Sequence, residues 1–74
     1  MYELAIYTIF NNPTDYPGKM VVRKFTAIAG KVIPSAEPLC ICDTLQECRA
    51  QIPQGLILTA RSPEDDHAII ESWL

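Results

Sequence analysis

Two apolar runs, separated by a segment built from turn-forming residues, constrain this chain more than any other feature. Residues 2–10 (Tyr-Glu-Leu-Ala-Ile-Tyr-Thr-Ile-Phe) contain no glycine or proline and are rich in β-branched and aromatic types, the composition of a strand. With side chains alternating at a period of two, Tyr2, Leu4, Ile6 and Phe10 share one face and Ala5, Tyr7 and Ile9 the other. A strand apolar on both faces is expected near the middle of its sheet and largely buried on both sides. The segment 11–19 (Asn-Asn-Pro-Thr-Asp-Tyr-Pro-Gly-Lys) cannot continue it, because its prolines fix φ and donate nothing to a ladder. A second strand is expected from Met20 to Ala29, carrying Val21, Val22, Phe25 and Ile28. The simplest arrangement is a long antiparallel hairpin whose connection exceeds the usual two to five residues, a length that points to a working loop.

The rest of the chain carries weaker signals. Gly30 to Pro38 reads as a connector with Pro34 and Pro38, and Leu39 to Cys42 as a short strand. Asp43 is the expected helix N-cap, with Gln46 completing a capping box. Leu45, Cys48 and Ile52 lie on one stripe of a helix over Thr44 to Ile52, ended by Pro53 and Gly55. So short a helix is stable only when docked on a sheet. Leu56 to Thr59 is a strand, Ala60 to His67 a polar connection, and Ala68 to Leu74 a last strand. In that strand Ala68, Ile70 and Leu74 face one way, Ile69 and Trp73 the other. The order β-β-(β)-α-β-β gives one α+β domain over residues 1–74, a small antiparallel sheet of four to five strands with the helix on one face.

Size and composition then set the function classes. A chain of 74 residues buries only about 60% of its unfolded surface. With 49% hydrophobic residues some apolar surface must stay exposed, so self-association is expected. Strands that begin at residue 2 and run to the last residue leave no tails over the sheet edges. The net charge of −3 argues against nucleic-acid binding. The charge is uneven. Residues 1–38 balance at +1, with Lys19, Arg23, Lys24 and Lys31 against Glu3, Asp15 and Glu37. Residues 39–74 balance at −4, with Arg49 and Arg61 against Asp43, Glu47, Glu64, Asp65, Asp66 and Glu71. Three cysteines are an odd number for a secreted disulfide framework, the N-terminus lacks a basic leader, and apolar stretches are too short for a bilayer. A cytoplasmic protein with reduced thiols is expected, without membrane association.

The segments Asn12-Pro-Thr-Asp-Tyr-Pro-Gly-Lys19 followed by Val21-Val-Arg23, Asp43-Thr-Leu45, Arg49, Ile52-Pro53, Gly55-Leu56, Arg61-Ser-Pro-Glu-Asp-Asp66 and Ile69-Ile-Glu-Ser-Trp-Leu74 together resemble a group of short uncharacterised bacterial and phage-associated proteins. The resemblance spans nearly the whole chain. It implies a free-standing protein with no established activity and assigns no catalytic residues.

Catalysis is not expected from the residues themselves, nor is a cofactor. Cys40 and Cys42 share a strand face, Cys48 sits on the helix and His67 lies further on. This is not the paired-turn spacing of a zinc ribbon, so the thiols read as core residues and no metal is assigned. His67 has no serine or cysteine in a nucleophile motif beside it. Ser35, Ser62 and Ser72 occupy no such motif. Glu64-Asp65-Asp66 lacks the ligand spacing of an EF-hand. No glycine-rich phosphate loop is present. What remains is a partner-binding rim of Asp15, Tyr16, Arg23, Arg61, Glu64, Asp65 and Asp66, with Trp73 as an anchor. Arg23 or Lys24 alternatively pairs with the acidic run. The expected function is a non-catalytic interaction protein, homodimeric or bound to an unidentified protein. Other residues support two alternatives: an acidic inhibitor of a nucleic-acid-binding surface, and a metal-dependent enzyme using the cysteines and His67.

Overall fold

A computed structural model describes residues 3–59 and 68–74. Its core element is the expected hairpin. Strand β1 (Glu3–Asn11) pairs antiparallel with β2 (Met20–Ile28) over the whole of both strands, from Glu3 opposite Ile28 to Asn11 opposite Met20. The loop between them is closed by its own hydrogen bonds. Asn12 N–H donates to Lys19 O at 2.8 Å, and Gly18 N–H donates to Asn12 Oδ1 at 2.7 Å. Asn12 sits at φ 55°, a conformation asparagine tolerates better than most residues.

The chain then turns back at once. Ala29 and Gly30 both have positive φ, 50° and 78°, the pair required by a two-residue type I′ turn. Strand β3 (Lys31–Pro34) therefore runs antiparallel along β2, where a connector was expected. The usual Asn-Gly signal is replaced by Ala-Gly, which conceals the turn. Strand β4 (Cys40–Cys42) pairs with the other half of the same β2 edge, Val22 opposite Cys40 and Met20 opposite Cys42.

Helix α1 (Leu45–Gln51) is capped one residue later than expected. Thr44 accepts from Glu47 N–H at 3.2 Å, and its hydroxyl donates to Glu47 Oε1 at 3.0 Å. Asp43 is not the cap because its carboxylate is engaged by Lys19 Nζ at 2.5 Å. Thr44→Ala is accordingly expected to lower unfolding stability by about 1 kcal/mol. Asp43→Ala should change it little; chemical denaturation that ranks the two in reverse would place the cap at Asp43.

Strands β5 (Leu58–Thr59) and β6 (Ile69–Trp73) complete the sheet in the order β3-β2-β1-β6-β5, with β1 in the middle as anticipated. The backbones of Ile57 and Leu74 exchange two further hydrogen bonds beyond β5. A register shift lies between Ile9, which faces Glu71, and Phe10, which faces Ile69. This bulge overturns the simple alternation read for the last strand, since one extra residue reverses the sides of its neighbours beyond the bulge. Ile70 packs with Trp73 against the helix-side core, while Ile69 is the partner of Phe10 on the opposite face.

The helix-side core consists of Ile9, Val22, Cys48 and Ile52, with Tyr7, Met20, Leu45, Leu56 and Trp73 packed against it. No helix among the described residues is long and apolar enough to cross a membrane.

Candidate functional site

Three features carry chemistry, and they lie in different places. The first is the end of the hairpin. Arg23 forms an ion pair with Asp15, and its guanidinium lies 5.9 Å from the ring centres of both Phe10 and Tyr16. The arginine is thus held between a carboxylate and two aromatic faces. A depression of about 710 Å³ opens beside it, lined by Phe10, Pro13, Asp15, Arg23 and Ala68 among others. Asp15, Tyr16 and Arg23 come together at this end of the hairpin. Arg23 takes Asp15 as its ion partner. Arg61, Glu64, Asp65, Asp66 and His67 lie outside the described residues.

Trp73 is elsewhere. It stands opposite Tyr7 and packs against the helix-side core beside Leu56, on the face away from Arg23. Two residues earlier, Glu71 is 6% exposed and receives a fork from Arg49 of α1, Nε to Oε1 at 2.7 Å and Nη2 to Oε2 at 2.9 Å. The fork holds the Glu71 carboxyl below its ordinary pKa against the opposing effect of burial, with help from the Trp73 indole. Trp73 Nε1 itself makes no hydrogen bond of normal geometry among the described residues. Because the folded-state pKa is depressed, the stabilisation is complete above the ordinary value of 4.5 and is lost as pH falls through the lower folded value. The thermal midpoint should therefore fall more steeply below about pH 4.5 in the wild type than in Glu71→Gln. Equal slopes would show that the fork contributes no pH-dependent stability.

The second feature is the face of the sheet opposite the helix. Cross-strand register aligns Leu4, Ala27 and Val32 in one row and Ile6, Phe25 and Pro34 in the next. None is charged. Leu4 is 45% and Val32 60% exposed. The face expected to be buried is thus open over this patch among the described residues. Sequence reasoning missed it because half of it hangs on β3, the strand hidden by the Ala-Gly turn.

The third feature is a thiol cluster. The sulfur atoms of Cys40, Cys42 and Cys48 all lie within 4.8 Å of one another, the one such group of potential metal ligands among the described residues. Cys42 and Cys40 are 3.6 Å apart, and no disulfide links them. Burial is the main cause that pushes the Cys40 thiol up to about 11 and the Cys48 thiol up to about 12, aided by hydrogen bonding to Cys42. Cys40 and Cys48 are therefore neutral thiols at neutral pH unless a cation displaces their protons.

No family model, curated protein or solved structure matches the chain. The functional reading rests on this geometry.

Proposed function

We propose that this chain is a small, non-catalytic, cytoplasmic interaction module whose open sheet face packs against the same face of a second copy. The observation that carries this reading is the uncharged patch formed by Leu4, Ala27, Val32, Ile6, Phe25 and Pro34. Six neighbouring apolar side chains on one side of a thin sheet form the kind of surface that monomers cover. A two-fold axis through the patch closes the assembly, because each copy offers the surface the other needs.

The edge of β3 favours packing by faces over the addition of strands. Ser35 N–H donates to Lys24 O, so the hydrogen-bonded positions on this edge alternate through Ile33 and Lys31. Val32 and Pro34 are then the residues whose backbone groups point outward, and proline has no N–H to offer. An edge so blunted pairs poorly with another strand. The odd number of cysteines, three in the chain, fits a cytoplasmic location better than a secreted disulfide framework.

Nuclear Overhauser contacts in a mixture of labelled and unlabelled copies test the reading. Contacts between copies are expected from the methyl groups of Leu4, Ile6 and Val32. Contacts from the helix side instead, or none at concentrations where the protein is dimeric, would refute it.

A further inference from the structure

We propose that Cys40, Cys42 and Cys48 form a binding site for a single soft, thiophilic metal ion, Cu(I). The proposal is independent of self-association, since the cluster lies on the helix side of the sheet and the open patch on the other.

The donors are placed by three separate constraints. Cys40 and Cys42 project to the same side of β4 because they are two residues apart on a strand. Their side faces α1, where Cys48 is fully buried against Ile9, Val22 and Ile52. The helix is held over the sheet by its own cap and by the Arg49–Glu71 fork, so the third thiol is fixed relative to the other two. A metal–sulfur bond of about 2.3 Å, as in thiolate zinc sites, puts the sulfurs of a three-coordinate site roughly 4 Å apart. The observed sulfurs, 3.6 Å apart for one pair and all within 4.8 Å, need only small side-chain rotations to meet that geometry.

The donor set selects the ion. It consists of sulfur alone. Met20 stands directly opposite Cys42 in the ladder and packs against the same core, so a thioether shares this side of the sheet with the cluster. Thiolates and thioethers favour Cu(I), whereas a structural zinc site takes four nitrogen, thiolate or carboxylate ligands. Among the described residues there is no such fourth ligand. Cys40, the half-buried member of the cluster, gives the ion its approach from solvent to the more buried Cys42 and Cys48. On binding, the thiols release their protons to water, so affinity rises with pH.

The deciding experiment is an anaerobic titration of the reduced 74-residue chain with Cu(I) against the colorimetric chelator bathocuproine disulfonate. One equivalent per chain is expected, accompanied by a sulfur-to-copper absorption band in the near ultraviolet and a raised thermal midpoint. Cys42→Ser and Cys40→Ser should each weaken binding at least tenfold and remove the gain in thermal midpoint. Circular dichroism of these variants before metal addition confirms that they are folded. His67→Ala should bind as the wild type does. The proposal is overturned if the folded serine variants compete for Cu(I) as well as the wild type. It is also overturned if His67→Ala loses the ion, or if the wild type takes up Zn(II) stoichiometrically and fails to compete for Cu(I).

Discussion

Ile9→Ala is expected to cost about 3 kcal/mol of unfolding free energy, the common range for deleting a buried aliphatic side chain down to its first carbon. Ile9 has no exposed surface and lies where β1, β2 and α1 meet, in contact with the cluster that includes Val22, Cys48 and Ile52. The site cannot collapse around the loss, because the sheet backbone on either side is fixed by β2 and β6. For a domain of 74 residues total stability is on the order of 5 kcal/mol, so the variant should lose most of its resistance to urea. Ile57→Ala provides the comparison. Ile57 is 73% exposed and holds its place through backbone hydrogen bonds that alanine retains. Its midpoint should move by less than about 0.5 kcal/mol in equivalent free energy. If both variants shift equally, the core does not lie where Ile9 places it.

The second large effect is expected at the open face. Val32→Asp puts a carboxylate into an otherwise uncharged patch, and the proposed two-fold packing would bring two such charges together across the interface. Like charges so placed, with the loss of apolar contact, should weaken self-association by roughly two orders of magnitude. The fold should survive, because Val32 is 60% exposed on an edge strand and makes no core contact. Far-ultraviolet circular dichroism checks that the monomer produced is folded.

The parts of this fold that were legible from the sequence are those set by local chemistry. The Asn11–Lys19 loop interrupts two strand-forming runs so firmly that the hairpin and the central place of β1 follow from it. Pro53 ends α1 where expected. The misreadings share a cause: a local signal outweighed by a tertiary one. Asp43 is a good cap residue, but Lys19 from the hairpin reaches it first, and Thr44 takes over. Gly30 and Pro34 looked like loop chemistry. In fact Gly30 supplies a positive φ for a tight turn, and Pro34 sits on an edge that tolerates the missing N–H. The bulge opposite Ile9 and Phe10 carries no sequence mark, so the faces of Ile69 and Ile70 were not readable.

The candidate sites were partly visible. Asp15, Tyr16 and Arg23 do converge, because a rigid loop folds back over the strand that bears the arginine. The open patch depends on register across three strands, one of them unrecognised. The cysteines were noticed, but their spacing resembles no familiar metal motif. Only the packing of α1 over β4 brings the third sulfur to the other two.

Sedimentation equilibrium of the wild type beside Val32→Asp tests the central claim most directly. With a chain of 8.3 kDa, the wild type should approach twice that mass as concentration rises, while Val32→Asp stays at the single-chain mass over the same range. A wild type that remains at the single-chain mass, or a variant that dimerises as readily as the wild type, would contradict a module built to bind its own copy through the open face.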